Sequence, residues 1–151
     1  MAMNGLLVLD KKNDTLVYAG TANVSITDWF FFKNNITLKY IGLNDAIIHL
    51  HRSDSIWNYQ FLVDYFSGSG NKKSNNPGSI NLDLKTINLK NVKIWKKDEW
   101  TGENLLASVG QLTVHANLFD INNRRINIKD IIIDKPSFTV YDYSGKEPQD
   151  T

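Results

Sequence analysis

The sequence predicts an all-β fold: a curved, mostly antiparallel sheet built from repeats, groove-like in shape, with one short helix. The first observation behind this prediction is a composition rich in valine, isoleucine, threonine and aromatic residues that alternate with polar ones, which is typical of strands. The second is a 15-residue pattern that occurs three times along the chain. The third is a repeated three-residue step within that pattern, which indicates a bend in each strand.

The bulk composition limits the classes of function. The chain has 151 residues, of which 42% are hydrophobic and 22% charged, so it can bury a sizeable core. Its formal net charge of +1 argues against a dedicated nucleic-acid binder. It has no cysteine, which removes disulfides, thiolate catalysis and cysteine-bound zinc. No apolar run approaches the roughly 18 residues of a membrane span.

The N-terminal segment predicts a hairpin. Residues 6–26 have the pattern of a short strand, a turn over residues 11–14 and a longer strand. The aromatic run that follows, residues 29–32, is interpreted as a core plug where the chain turns between strands.

The repeat covers three segments of the chain. Residues 36–50 align without a gap with residues 126–140, which lie 90 positions later, and residues 82–96 fit between them at an offset of 46. The alignment extends backwards, because Gly20 meets Gly110 and Val24 meets Val114 at the same offset of 90. The apolar positions of the three copies form a candidate lipid groove: Ile36, Leu38, Ile41, Leu43, Leu82, Leu84, Ile87, Leu89, Ile126, Ile128, Ile131 and Ile133.

The spacing within each copy predicts a β-bulge. Residues two apart share a face of a strand, so the step of three from Leu38 to Ile41 keeps both side chains on one face only if an extra residue is accommodated between them. The same step separates Leu84 from Ile87, and a second short strand is expected after each copy. A leucine-rich solenoid is the competing interpretation. It fails because Val92 stands where that ladder requires asparagine, and because the copies lie too far apart.

A short helix is expected over residues 58–66, with Asn58 as its N-cap, although the alternating apolar residues there also fit a strand. Residues 67–79, a glycine-, serine- and asparagine-rich stretch, are expected to form a mobile loop. The loop separates a first repeat unit with its hairpin, residues 1–66, from the second and third units, residues 80–151. Together they read as one continuous array that is truncated at its C-terminal end.

No catalytic or metal-binding pattern stands out. His49 and His51 share a strand face and could supply half a metal site, but they alternate with the apolar Ile48 and Leu50. We therefore expect both histidines on the solvated face. No carboxylate pair or nucleophile motif is found, so neither an enzyme, nor a metal, nor a cofactor is expected.

The residues that follow the repeats carry a family resemblance. The first copy leads into Arg52, Asp54 and Trp57-Asn58, and the second into residues 102–105, Gly-Glu-Asn-Leu. Over residues 14–143 this texture resembles the AsmA-like envelope proteins, most closely their translocation and assembly module group of the Bacteroidetes type. Two departures are that the N-terminal membrane anchor and the C-terminal region that would engage an outer-membrane partner are both absent.

The resemblance implies a periplasmic protein, anchored to the inner membrane in full length, whose β-groove conducts phospholipid acyl chains between the two membranes. It also implies an outer-membrane β-barrel partner and membrane contact through the absent regions only. Three alternatives stay open. The chain could bind outer-membrane protein precursors through exposed strand edges by β-augmentation. It could be a cell-surface adhesion repeat. Finally, the apolar stripe could be an ordinary closed core, since protein and lipid contacts select the same residue types.

Overall fold

The fold is taken from a computed structural model that describes residues 1–26, 35–68, 79–120 and 125–148. Strands account for 74% of the described residues, which also contain one helix. The elements in chain order are β1 Ala2–Leu9, β2 Thr15–Ile26, β3 Asn35–Arg52, α1 Gln60–Gly68, β4 Ser79–Asp98, β5 Glu103–Asp120, β6 Arg125–Asp134 and β7 Ser137–Asp142.

The seven strands form one open, curved sheet, which confirms the predicted fold class. Their order is β1-β2-β3-β4-β5-β6. β7 also pairs with β5, so β6 and β7 lie one after the other along the same edge of β5. All neighbours are antiparallel except β3 and β4, which run parallel. Among the described residues, strands contact only their ladder neighbours, so the sheet does not close into a barrel.

The parallel pair β3–β4 aligns two copies of the repeat side by side. Ile41 faces Ile87 and Leu43 faces Leu89, at the predicted offset of 46 residues. Before the three-residue step, however, the ladder offset is 44 instead, so that Leu38 faces Leu82. The predicted equivalence of Leu38 with Leu84 is therefore wrong in the ladder, because β4 contains additional residues at this point.

The three-residue steps coincide with the predicted irregularities. In the β2–β3 ladder, Tyr40 and Leu38 face consecutive residues of β2, which leaves Lys39 without a partner. The third copy repeats this: Asp130 and Ile128 face consecutive residues of β5, and Lys129 is skipped. The extra residue lets the apolar side chains before and after it share one face.

A second irregularity crosses the whole sheet as a single line, which we call the crease. At this line the ladder pairing skips one residue in each of β1 to β5. On the last strand position, the same line falls in the interruption between the end of β6 and the start of β7. Four of the crease residues have positive φ, at +71°, +53°, +52° and +50° for Gly5, Asp45, Asn91 and Lys135 respectively. The crease consists of Gly5, Gly20, Asp45, Asn91, Gly110 and Lys135.

Two glycines of the crease, Gly20 and Gly110, lie close to the Cβ of a facing left-handed residue. A Cβ added to Gly20 would lie 3.4 Å from the Cβ of Asp45, and one added to Gly110 would lie 3.3 Å from the Cβ of Lys135. The left-handed conformation brings the facing Cβ close to the neighbouring backbone. A side chain at either position would therefore crowd the facing residue, which favours glycine at both positions of the 90-residue offset.

The three copies differ in whether the strand is interrupted at the crease. A second short strand was expected after each copy, but β3 and β4 continue through the crease without a break. Only the third copy is divided, because Pro136 follows Lys135 there and proline cannot donate a ladder hydrogen bond.

The helix lies two residues later than expected, at Gln60–Gly68, and Asn58 does not cap it. The Asn58 side chain instead accepts a hydrogen bond from the His51 backbone N–H at 3.0 Å and donates one to the His49 carbonyl at 3.0 Å. Asn58 therefore ties the connection to the end of β3. The remainder of the expected loop, residues 69–78, and the aromatic run, residues 29–32, lie outside the described residues.

Candidate functional site: an apolar sheet face with a polar border

One face of the sheet carries the core of the molecule, and we call it the apolar face. Its centre is formed by Ala19, Ala46 and Val92, which are buried on three neighbouring strands beside the crease. Six larger apolar side chains that are only partly buried pack around this centre: Leu6, Leu43, Ile48, Leu89, Ile94 and Val109. Two of the three central residues are alanines, which leave room for the larger neighbours to pack against them.

Half of the predicted groove residues form two cross-strand rows on the apolar face. The ladder places Ile41 beside Ile87, and Ile131 joins the same row through β5. Two residues further along the strands, the second row contains Leu43, Leu89 and Ile133. The rows run across the strands, so together they form a continuous apolar band from β3 to β6.

The link between β4 and β6 was missed by the sequence analysis. It is supplied by Val114 and Leu112 of β5, which face Ile87 and Leu89 on one side and Ile131 and Ile133 on the other. The signal was available, because Val114 already aligned with Val24 at the offset of 90 residues. Their contribution could not be placed without knowing that β5 lies between the second and third copies.

The other predicted groove residues have different positions. Ile36 pairs with Ile80, and Leu38 with Leu82, towards the beginning of β3 and β4. Leu84 is buried. Ile126 and Ile128 lie on β6 at the sheet edge and are exposed.

The side chains of the apolar face become more exposed to solvent towards β6 and β7. Ile131 is 57% exposed, and Ile133, Phe138 and Val140 are also exposed large apolar residues. Among the described elements, α1 is the only one outside the sheet that contacts it, and it contacts β4. A contiguous apolar surface of this kind indicates a site of interaction.

A polar border ends the apolar face at the carboxyl ends of β3 and β4. Arg52 follows Leu50 by two residues, and Asp98 follows Lys96 by two, so these side chains continue the apolar face along the strands. The Arg52 guanidinium donates to both Asp98 carboxylate oxygens, at 2.8 and 2.5 Å. The Trp57 ring lies 4.8 Å from the guanidinium carbon and shields the pair.

Asp98 is the centre of this border. It is only 2% exposed, and it also accepts hydrogen bonds from the backbone N–H groups of Trp100 and Thr101, each at 3.2 Å. The hydrogen bonds from Arg52 are the largest cause holding the pKa of Asp98 well below its usual range, against the opposing effect of burial. The carboxylate thus fixes the turn between β4 and β5 as well as the end of β3.

Glu99 connects the border to the C-terminal segment. Its carboxylate lies 2.5 Å from the ammonium groups of both Lys146 and Lys97 and 3.5 Å from the His51 ring. The hydrogen bonds from Lys146 and then Lys97 lower the pKa of Glu99 to about 2. Backbone bonds from Lys146 to the Glu99 carbonyl and from Glu147 to the Trp100 carbonyl complete the attachment.

The histidines lie on the face opposite the apolar one, as the alternation predicted. His49 contacts Trp95, with 5.3 Å between ring centroids, and His51 faces Lys97 in the ladder. No group of three histidine or carboxylate side chains suited to a metal ion occurs in the described ranges. Within those ranges there is also no helix both long and apolar enough to cross a membrane.

Comparisons of the chain with protein-family models, with characterised proteins and with solved structures returned no match.

Proposed function

We propose that the apolar face holds phospholipid acyl chains, and that the chain is a non-enzymatic part of a lipid-conducting scaffold. The observation that supports this is the pair of continuous apolar rows, which run across four strands and become exposed towards β6. Acyl chains are long, flexible and apolar, and such a band offers them contact without requiring a shaped pocket. A periplasmic location between two envelope membranes belongs to the same proposal and rests on the family resemblance.

The polar border bounds such a site along the strand direction. Arg52, Lys96 and Trp57 lie together where the apolar face ends at the carboxyl ends of β3 and β4. Both cations are paired with carboxylates, Arg52 with Asp98 and Lys96 with Glu103. The border is therefore a stable polar boundary, so acyl chains would extend across the strands, along the rows, and would not extend along the strands past their ends.

Two adjacent residues of β6 provide a matched pair of variants. Ile131 is 57% exposed on the apolar face, and Ile132 is 59% exposed on the opposite face. The two side chains are almost equally exposed, so an aspartate at either position should lower stability by a similar amount, about 1 kcal/mol. The two variants thus differ in which face receives the charge.

We expect Ile131→Asp to weaken lipid binding at least about tenfold, because a carboxylate must be dehydrated when methylene groups cover it. Ile132→Asp should bind as the unmodified chain does. The measurement is uptake of a fluorescent phospholipid from phosphatidylglycerol–phosphatidylcholine vesicles by the purified chain. Circular dichroism confirms that both variants are folded. Equal uptake by the two variants, or no uptake by the unmodified chain, would reject the proposal.

A second candidate function is supported by the free edges of the sheet. Within the described residues β1 pairs only with β2, and β6 and β7 pair only with β5. Their unpaired backbone groups could take up an extended segment of an outer-membrane protein precursor. Saturable binding of unfolded β-barrel peptides that Ile131→Asp leaves unchanged, without lipid uptake, would favour this candidate over the first.

A further inference from the structure

The two edges of the sheet are matched in direction. Following the ladders from β1 to β6, the direction reverses four times and is kept once, at β3–β4. The two edge strands therefore run the same way. A second copy of the chain, shifted sideways in the plane of the sheet, would place its β1 parallel to the β6–β7 edge of the first.

The crease fixes a register for this contact. In the parallel pair β3–β4, the left-handed residues Asp45 and Asn91 lie opposite each other. The edge strands each carry one residue of the same kind, Gly5 with φ +71° and Lys135 with φ +50°. Aligning Gly5 with Lys135 reproduces the arrangement that the sheet already uses in its interior.

The same register also aligns the apolar faces. With Gly5 opposite Lys135, three pairs of apolar residues face each other on the apolar face: Met3 with Ile133, Leu6 with Pro136, and Val8 with Phe138. Each pair would extend a row that already crosses the sheet. Met3 lies beside Ala22 in the row of Leu43, and Val8 lies beside Val17 in the row of Ile48. Backbone conformation and side-chain pattern thus select the same register independently.

We propose that copies of this chain associate edge to edge, with β1 of one copy parallel to β6 and β7 of the next and Gly5 opposite Lys135. The contact joins two different surfaces, so it propagates as an open series that does not close as a symmetric dimer. Lys135 and Pro136 are residues that weaken edge pairing, and Pro136 lacks one N–H donor. The association is therefore reversible and depends on concentration. It stands on the edges alone and does not require lipid binding.

Cysteine cross-linking tests the register directly, because the chain contains no cysteine of its own. Leu7 and Ser137 are exposed on the opposite face and become direct neighbours in the proposed contact. Within one copy they lie on the two edges, five strand spacings or about 24 Å apart, too far for a disulfide. Leu7→Cys and Ser137→Cys are prepared as separate variants, mixed and oxidised, and sedimentation velocity of the unmodified chain is recorded over a concentration series.

We expect the mixture to form a cross-linked heterodimer, and the unmodified chain to increase in mean mass with concentration. A mixture of Leu7→Cys with Thr139→Cys, shifted by two residues on the same face, should cross-link at least fivefold more slowly. Equal rates for the two mixtures would overturn the proposed register. Faster cross-linking of Leu7→Cys with itself would show β1–β1 pairing and overturn the proposal, as would a chain that remains monomeric throughout.

Discussion

At the scale of single residues, the ion pair between Arg52 and Asp98 links the ends of β3 and β4. The two residues occupy equivalent positions of two copies, 46 residues apart, and face each other in the parallel ladder. An in-register parallel pair brings equivalent side chains together, so identical charges there would repel. Opposite charges at this position convert the repulsion into a buried, bidentate ion pair.

Replacing Asp98 by asparagine should destabilise the chain by about 3 kcal/mol, because the partly buried Arg52 loses its only described carboxylate partner. Asp83→Asn is the control, since the ion pair of Asp83 with Lys85 is largely solvated and should contribute less than about 0.5 kcal/mol. Urea unfolding followed by circular dichroism measures both. A loss for Asp98→Asn no larger than that of the control would contradict a structural role for the pair.

Acid should weaken the border through two of its carboxylates, Asp98 and Glu99. Both Asp98 and Glu99 have lowered pKa values in the folded chain, so both bind protons less readily there than in the unfolded chain. Their stabilisation is complete above the ordinary carboxyl pKa near 4 and is lost as the pH falls towards about 2, the pKa of Glu99.

We therefore expect the free energy of unfolding to be steady from neutral pH to about pH 5 and to decline below it. Glu99→Gln should make this decline shallower, since one of these two titrating groups is removed. The variant should also make the free energy of unfolding less dependent on salt concentration. Urea unfolding at a series of pH values provides the test. An unchanged acid dependence in Glu99→Gln would show that the contacts with Lys97 and Lys146 do not stabilise the fold.

At the scale of secondary structure elements, the crease makes long strands compatible with a curved sheet. β3, β4 and β5 have 18, 20 and 18 residues, well beyond the usual strand length of about 5 to 6. A flat ladder of this length would conflict with the natural twist of strands. The bulges at Lys39 and Lys129, together with the crease, divide the ladder into short regular segments and keep the apolar residues on one face.

Substitutions at Lys135 test whether the crease requires a left-handed backbone conformation. The Lys135 side chain is exposed and its φ is +50°, so the backbone effect can be separated from packing. Lys135→Val should cost about 1 kcal/mol, since a β-branched residue tolerates the left-handed conformation poorly. Lys135→Gly should be near neutral, because relief of strain offsets the greater freedom that glycine has in the unfolded chain. Thermal unfolding compares the two variants. Equal losses would indicate that the lysine side chain matters more than the backbone conformation.

At the scale of the whole molecule, the sheet is a single open layer whose apolar rows run perpendicular to its strands. Six strand positions at about 4.8 Å spacing give a width of about 24 Å. One acyl chain occupies half of a hydrocarbon core of about 30 Å, or about 15 Å. One copy is therefore wide enough to hold an acyl chain across its strands, and edge-to-edge association would lengthen the apolar band without any change in its cross-section.

The sequence by itself determined the all-β class, the first hairpin, the three copies and the bulges at their three-residue steps. Each of these follows from local rules: side chains alternate along a strand, and an apolar face must be kept on one side. The position of the histidines opposite the apolar face follows from the same alternation.

Only the tertiary structure decided which strands are neighbours. The parallel β3–β4 pair, the 44-residue offset before the step and the insertion of Leu112 and Val114 into the rows depend on contacts between residues far apart in sequence. Asn58 illustrates the reason. Its residue type suits a helix cap, but the backbone groups of β3 lie within its reach and bind it instead. The crease is likewise visible only when the strands are aligned, because the glycines and the left-handed residues lie at unrelated positions of the sequence and become neighbours only in the sheet.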